Sequence, residues 1–457
     1  MRAGIACLVV LALSQSLAAC VAPKIPEVQP ATTIPLRGDF FADTRPPSGL
    51  EDVWWHGFES IQLDGLVDAA LARNQSLEAA RQRLLAARAI VRAEQSDFLP
   101  DIGVTARADG VLDDGGGFAD TGAVSLGGLW QIDLNGRLSA ERAAALAEAD
   151  AAGYFVADQR RLIAAAVVSQ YVELKRTGAR LILLDESADL QRQTLDIVKL
   201  RFEAGLSSNL DVRRASADLA RTQSQRGPLV LARTRAANAL SVLVGDPPEP
   251  LDPDVSEVEV PRFVQGPDVG VPADLLRRRP DLLVAEADVA RAAAIVGIER
   301  ADLAPSFALQ GFLSGSQGSV ADIFSGALLS VGGVLDLPIL DGGRRRAEVE
   351  AASRDLDAAV ADYRQVLLEV LSESESAFVS IEAAQSRLVE LNKAVTQSEA
   401  AFEQSNALYR EGLATLFDVL DVQRQLISAR EAVLDARSAL AQAYVSLYAA
   451  VGSPTQA

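Results

Sequence analysis

One stretch of this chain occurs twice, and the spacing between its copies limits what the chain can fold into. It reads RFEAGLSSNLDV at 201–212 and LYREGLATLFDV at 408–419. The offset is 207 residues and holds without a gap from Phe202/Tyr409 through Gly205/Gly412, Asp211/Asp418 and Leu240/Leu447 to Pro247/Pro454. Each copy sits between two long helical patterns. A glycine there suits the left-handed position that ends a helix, and a Ser or Thr just after it suits the N-cap of the next. The chain therefore carries two long helical hairpins of one build, with these turns as their tips.

The duplication reaches further back. Asn74-Gln75-Ser76-Leu77 corresponds to Arg279-Pro280-Asp281-Leu282, and Glu94…Pro100 to Glu299…Pro305, at an offset of 205. One helix is expected from near Leu63. Another is expected from near Ser76 to Phe98, with Leu77, Ala80, Leu84, Ala87 and Val91 on its inner face and Pro100 ending it. The period then changes from helical to alternating. Ile102, Val104, Ala106 and Ala108 share one face, and Thr105, Arg107 and Asp109 share the other. After a Gly/Asp turn at 113–117, Val124, Leu126, Trp130, Ile132 and Leu134 alternate with polar or small residues. This spacing predicts a two-stranded hairpin, and each strand matches the ~9–11 residues that a membrane-crossing strand needs. Trp130 fits an interfacial position.

A helix of about 65 residues follows from Gly136-Arg137 to near Glu203, with Gly178 as a point of weakness midway; at ~1.5 Å per residue it would reach about 100 Å. One helix is then expected from Asn209 to Val244. In the second copy the hairpin runs over 306–337, with Phe307, Leu309 and Leu313 on one face of its first strand. Ala327, Leu329, Val331, Leu335 and Leu337 share one face of its second. Asp341-Gly342-Gly343-Arg344 opens another long helix. The last helix carries Val419, Leu426, Val433, Leu440 and Leu447 at seven-residue spacing, beside a second stripe of Leu420, Ile427, Leu434, Ala441 and Tyr448. Two adjacent stripes predict neighbours on more than one side. The expected division is 1–19, a signal peptide; 20–60, an extended arm; 61–245, repeat one (hairpin about 102–134, tip 204–209); 246–272, a Pro/Asp/Glu-rich linker; and 273–453, repeat two (hairpin about 306–337, tip 411–416).

Composition narrows the function classes. The chain has 43 basic and 62 acidic side chains, a net charge of −19, so it repels nucleic acid. Its only cysteines are Cys7 and Cys20 and its only histidine is His56. That composition argues against a structural disulfide or a Cys/His metal site, and a Ser-His-Asp triad would have to use His56, in a Trp-Trp-His segment with no nucleophile motif beside it. His56 is expected to be a half-buried residue near the start of the mature domain. The N-terminus has one positive charge, the apolar run 5–13 and then small residues, which describes a secretory signal. It ends in Leu17-Ala18-Ala19-Cys20, similar to a bacterial lipobox, which implies a lipidated Cys20 at the mature N-terminus. Val21 follows, so nothing resembles an inner-membrane retention signal.

Four strands with one apolar face cannot sit alone in a bilayer, because their edges would leave backbone groups unpaired at several kcal/mol each. The sheet has to close, so several chains have to contribute. Two would give eight strands and a filled interior; three would give twelve and an aqueous lumen. At this point the chain resembles the TolC-like outer-membrane factor family, in its lipoprotein (OprM-like) branch. The marks are Leu17-Ala18-Ala19-Cys20; Arg277-Arg278-Arg279-Pro280-Asp281-Leu282; Leu337-Pro338-Ile339-Leu340-Asp341-Gly342-Gly343-Arg344-Arg345-Arg346; the two Gly-Leu tips; and Asp418-Val419-Leu420-Asp421.

The resemblance implies a mixed fold: a homotrimer with a twelve-stranded transmembrane β-barrel, a twelve-helix periplasmic tunnel, and a belt around it built from the arm and the linker. It implies the exit channel of a tripartite efflux pump, with no enzymatic activity and no cofactor beyond the lipid on Cys20. The partners would be outer-membrane lipid, a periplasmic adaptor and an inner-membrane transporter of the resistance-nodulation-division class. Gly205, Leu206, Ser207, Gly412, Leu413 and Thr415 would meet the adaptor. Asp418 and Asp421 would narrow the periplasmic mouth, three copies giving six carboxylates around one opening. The alternative for these two is that they are solvated helix-start residues, a role Asp211 fills in copy one. Ala414 departs from relatives that are acidic at that place. Arg277–Arg279 with Asp281 reads as a structural charge cluster and helix start rather than a ligand site, and Gly342-Gly343-Arg344 as a strand-to-helix crossing rather than a phosphate loop. A duct for protein secretion and a non-conducting periplasmic scaffold lipoprotein are the competing readings.

Overall fold

A computed structural model describes residues 53–112, 118–248, 259–264, 279–315 and 327–451. The expected signal peptide, Cys20, the arm up to residue 52, the turn 113–117, Arg277, Arg278 and most of the linker lie outside the described residues. The described elements are a 3₁₀ turn Trp54–Phe58, α1 Ile61–Arg73, α2 Gln75–Ser96, β1 Asp101–Leu112, β2 Phe118–Ile132, α3 Arg137–Glu203, α4 Asn209–Ser224, α5 Arg226–Val244, α6 Pro280–Ala301, β3 Ser306–Gly315, β4 Ala327–Asp336, α7 Arg344–Arg410 and α8 Leu416–Val451. The long helices α3 and α7 have 67 residues each. Gly178 does not interrupt α3.

Two compact units divide the chain. One, from Arg81–Phe155 and Asp281–Val366, holds the sheet. Its strands run β1-β2-β3-β4, every neighbour antiparallel. The register decides which side chains share a face. Val104 lies opposite Leu126, Leu126 opposite Leu313, and Leu313 opposite Leu329. Directly opposed residues point to the same side. Ile102, Val104, Val124, Leu126, Trp130, Ile132, Phe307, Leu309, Leu313, Leu329, Val331 and Leu335 therefore form one unbroken apolar face. Thr105, Arg107, Ser125, Gln131, Gln310, Ser314, Ser330 and Asp336 lie on the other. Trp130 sits at the end of β2, where its Nε1 donates to the Phe98 carbonyl at 2.9 Å.

The helices of this unit are tied to the strand ends. Asp133 accepts from the Leu138 and Ser139 amides, at 3.1 and 3.0 Å, and so caps α3. Asn135 Nδ2 donates to the Ala301 carbonyl at the end of α6, at 3.0 Å. In the second copy, Asp341 accepts from the Gly343 amide at 2.9 Å and the Arg345 amide at 3.3 Å. Those backbone donors are the main reason its carboxyl is held below the usual range.

The other unit, from Leu36–Ala80, Val156–Pro280 and Leu367–Ala457, holds the main core and both tips. Leu63 and Val67 of α1, Leu77 of α2, Val167, Val168 and Val172 of α3, Leu240 and Val244 of α5 and Val445 of α8 are buried together. Trp54 and Trp55 belong to this core, each 5% exposed. That corrects the expectation of an extended surface arm as far as residue 60: the last part folds into a 3₁₀ turn. Trp54 stacks on Tyr448 with centroids 5.1 Å apart, and Phe263 stacks on Tyr444 at 4.7 Å. His56 is not half-buried; it is exposed, with Nε2 3.7 Å from Asp64. The tryptophans take the interior side of the turn and leave the histidine the outer one.

The single helix expected over 209–244 is two helices. The chain breaks at Gln225, whose amide bonds the Thr222 carbonyl at 3.1 Å instead of continuing the α pattern. Pro228 causes the break, since it has no N–H and its ring would strike the carbonyl four residues back, at Ser224. Restarting at Arg226 places Pro228 in a first turn, where no intrahelical acceptor is needed. In α8, Val419, Leu426, Val433 and Leu447 are buried, as are Leu420, Ala441 and Tyr448, while Leu440, Ile427 and Leu434 of the same two stripes are half-buried.

The two repeats begin on equivalent seams built with different chemistry. Asn74 accepts from the Ser76 and Leu77 amides, at 2.9 and 3.1 Å, and donates to the Leu243 carbonyl at the end of α5, at 2.8 Å. In the second copy Arg279 is 3% exposed, donates to the Ala450 carbonyl of α8 at 2.8 Å and pairs with Glu373 at 2.7 Å. Leu243 and Ala450 are themselves repeat equivalents. Arg279 thus has the structural role expected of it, and Pro280 opens α6 beside it.

Candidate functional site

Both tips follow from local turn chemistry. Gly205 and Gly412 have φ of +73° and +78°, a conformation that costs any other L-residue. The Leu206 amide reaches back to the Arg201 carbonyl at 2.7 Å, and the Leu413 amide to the Leu408 carbonyl at 2.8 Å. These bonds satisfy the last carbonyls of α3 and α7. Ser208 and Asp211 then form a capping box for α4: each side chain takes a hydrogen bond from the other residue's amide.

Copy two repeats the arrangement. The Thr415 amide donates to Asp418 Oδ2 at 2.9 Å, the Thr415 hydroxyl bonds the same oxygen at 2.6 Å, and the Asp418 amide reaches Thr415 Oγ1 at 3.4 Å. These bonds hold the Asp418 carboxyl below its ordinary range, the Thr415 side chain first and its amide second. Asp418 is therefore occupied as a cap, like Asp211. Asp421 lies one turn further on, accepts from Gln425 Nε2 at 2.8 Å and faces Arg424 at 3.5 Å.

The tips present large apolar side chains beside exposed Glu203, Arg410 and Glu411. Leu206 and Leu413 are 66% and 75% exposed, and Leu210 and Phe417 also stand out. Ser207 turns inward to the Val198 carbonyl at 3.3 Å. Beneath lies a small core of Val198, Phe402, Tyr409, Leu416, Val419, Leu420 and Leu426. The two hairpins are joined by Arg201. Its guanidinium donates to the Tyr409 carbonyl at 2.8 Å and lies 4.7 Å from the centroid of the Tyr409 ring. Burial pushes the Tyr409 phenol up, and its hydroxyl has no hydrogen-bond partner among the described residues. Sequence reasoning did not single out Arg201. The one signal was a difference between the copies: arginine before Phe202, leucine before Tyr409.

The second candidate region is the sheet. Its apolar face is open: Ile102, Val104, Leu329 and Val331 are each more than two-thirds exposed. Strands β1 and β4 each have one edge without a partner among the described residues. No described helix is long and apolar enough to cross a membrane. No cluster of His, Cys, Asp and Glu among the described residues is placed to hold a metal ion.

Comparison with known proteins matches both regions. The outer membrane efflux protein family is matched twice, over residues 66–246 and 271–453. Nodulation protein T of Rhizobium leguminosarum bv. viciae is 30% identical over 403 residues, 87% of this chain and 83% of that protein. The pyoverdine export outer membrane protein OpmQ of Pseudomonas aeruginosa is 30% identical over 419 residues, 88% of this chain and 87% of that protein. The solved outer-membrane channel OprN superposes with a TM-score of 0.84 at 31% identity, over 95% of this chain and 99% of that one.

Proposed function

The chain belongs to the outer membrane efflux protein family and is an efflux channel of the outer membrane, and from that premise we propose how it assembles and conducts. Three copies close one barrel of twelve strands, and their long helices form a tunnel in the periplasm. The single observation behind this reading is the sheet: one unbroken apolar face, one mostly polar face and two open edges. In lipid each unpaired backbone group costs several kcal/mol, so the edges have to find partners, and twelve strands leave room for an aqueous lumen.

The folding repeats are 61–245 and 273–453, with the Trp54–Phe58 turn packed in the main core, and the arm before that turn, with the linker 246–272, forms a belt around the helices. A lipid on Cys20 adds a membrane anchor; no other cofactor is needed and no reaction is catalysed. The cargo is small molecules, the class handled by the pyoverdine exporter OpmQ. The exposed Leu206 and Leu413, flanked by Gly205, Ser207, Gly412 and Thr415, receive a periplasmic adaptor, which links the channel to an inner-membrane transporter of the resistance-nodulation-division class. Glycine lets the partner backbone approach and leucine supplies an apolar knob.

Asp418 and Asp421 line the periplasmic mouth. Thr415 gives Asp418 neutral donors and leaves its charge in place, while Asp421 faces Arg424, so both carboxylates are taken to meet permeating ions. The test is single-channel recording of the purified protein in planar bilayers. Wild type should conduct weakly and prefer cations. Asp418→Ala and Asp421→Ala together should raise conductance and weaken that preference. Unchanged conductance and selectivity in the double variant would remove both residues from the mouth. A complete lack of conducting states, in wild type and double variant alike, would replace the channel by a scaffold.

A further inference from the structure

The internal duplication assigns residue partners to an interface that one copy cannot complete. In the sheet-bearing unit, Arg137 at the start of α3 pairs with Glu141 one turn on, at 3.1 Å. Its Nε also lies 3.2 Å from Asp302 at the end of α6, an ion pair off the hydrogen-bond axis. Together with Asn135 on the Ala301 carbonyl, this docks the start of α3 on the end of α6, directly below the place where β2 pairs with β3. The repeat equivalents of Arg137, Glu141 and Asp302 are Arg344, Glu348 and Asp97, at offsets of 207, 207 and 205. All three residue types are preserved.

Only half of the second cluster forms within the chain. Arg344 pairs with Glu348 at 2.7 Å, but Asp97 has no ion-pair partner among the described residues. The Arg344 side chain is 65% exposed where that of Arg137 is 39%. The strands share the asymmetry: β2 and β3 pair, while their equivalents β4 and β1 are both edges. The hairpin registers obey the same offsets. Asp101↔Leu129 in the first corresponds to Ser306↔Asp336 in the second, 205 and 207 residues on.

Building on the closed-barrel reading above, we propose that β4 and the start of α7 of one copy dock on β1 and the end of α2 of the next. The register is the one that β2 adopts against β3, and Arg344 closes on Asp97 across the interface. Carrying Gly127↔Phe312, Gly128↔Gly311 and Leu129↔Gln310 over to their equivalents sets Val334 opposite Arg107, Leu335 opposite Ala106 and Asp336 opposite Thr105. The apolar face continues through Leu335 and Ala106. On the other face Asp336 lies diagonal to Arg107, within reach of a long side chain. Pro338 has no N–H to give, which fits a strand that ends at Asp336. A one-residue slip would set Leu335 against Thr105 or Arg107 and turn the apolar face over.

Two cysteines placed directly opposite stand about 4.5–5.5 Å apart at Cβ, close enough for a disulfide after slight adjustment, whereas a pair displaced by two residues does not. The full chain carrying Leu335→Cys and Ala106→Cys, oxidised in outer membranes, should run as covalent multimers on non-reducing gels. The displaced pair Leu335→Cys with Ala108→Cys should stay largely monomeric, as should each single variant. Charge reversal gives a second readout: Asp97→Arg or Arg344→Asp alone should lower the fraction of oligomer that survives warming in detergent, and the two together should restore it. Native trimers that cross-link only at the displaced pair, or whose charge swap fails to rescue, would overturn this register while leaving the closed barrel intact. A wild-type chain that is monomeric in membranes would overturn both.

Discussion

Removing the side chain of Asn74 should loosen two helix ends at once and nothing else. Asn74 is 7% exposed and makes three hydrogen bonds: it accepts from Ser76 and Leu77 and donates to the Leu243 carbonyl. Asn74→Ala deletes an N-cap, worth about 1 kcal/mol. It also orphans a part-buried carbonyl, at the lower end of about 1–3 kcal/mol. The sum is about 2 kcal/mol, or roughly a 30-fold rise in local opening. Hydrogen exchange resolves where the loss falls. The Ser76 and Leu77 amides should exchange faster, and so should Gly245 and Asp246, whose bonds to the Ser241 carbonyl close the end of α5. Asn74→Asp separates the two roles. It keeps the acceptor for Ser76 and Leu77 but sets a carboxylate oxygen against the Leu243 carbonyl, so only the α5 end should loosen. If Asp and Ala variants lose protection equally at Ser76 and Leu77, or if protection falls evenly along the chain, the reasoning is refuted.

Gly245 has φ of +90°, and a Cβ there would meet the Arg73 carbonyl oxygen at 2.6 Å, so Gly245→Ala should cut the yield of folded channel sharply. The neighbouring Arg73–Asp246 pair at 2.9 Å is exposed and worth less than about 1 kcal/mol, so Asp246→Asn should leave that yield nearly unchanged. The Tyr448 phenol is pushed up to about 12 from its ordinary 10.0, by burial first and by Tyr444 second. A raised folded value means that its contribution to stability is whole below pH 10 and disappears as pH climbs toward 12, which absorbance of the phenolate against pH will follow. The Asp418 carboxyl is shifted the other way, so its capping contribution is present above its ordinary 3.8 and is lost as pH falls through its lower folded value. Exchange of the Thr415 amide, corrected for its intrinsic pH dependence, should stay slow down to that ordinary value; acceleration near pH 6 would contradict the assigned bonds.

The local chemistry of the chain was legible from residues close together along it. Alternation located all four strands, Gly-Leu-Ser and Gly-Leu-Ala-Thr located both tips, and the paired heptad stripes picked out the buried face of α8. The departures have local or tertiary causes. Pro228 broke a helix whose apolar period ran straight through it, because period reports which face is buried and not whether the backbone can bond. Trp54 and Trp55 lie after a Pro-rich stretch that reads as irregular, but both are buried in the core, where Trp54 stacks on Tyr448, almost the whole chain away.

By itself the sequence determined the elements, their order and their duplication, because periodicity, turn glycines and helix caps act over a few residues. Only the tertiary structure decided that Arg201 reaches the Tyr409 carbonyl, that Asn74 and Arg279 close equivalent seams, and that Arg137 finds Asp302 while its counterpart Asp97 has no ion-pair partner among the described residues. Those contacts depend on the register in which distant segments meet. Register is set by the packing of the whole, so no short window of residues contains it.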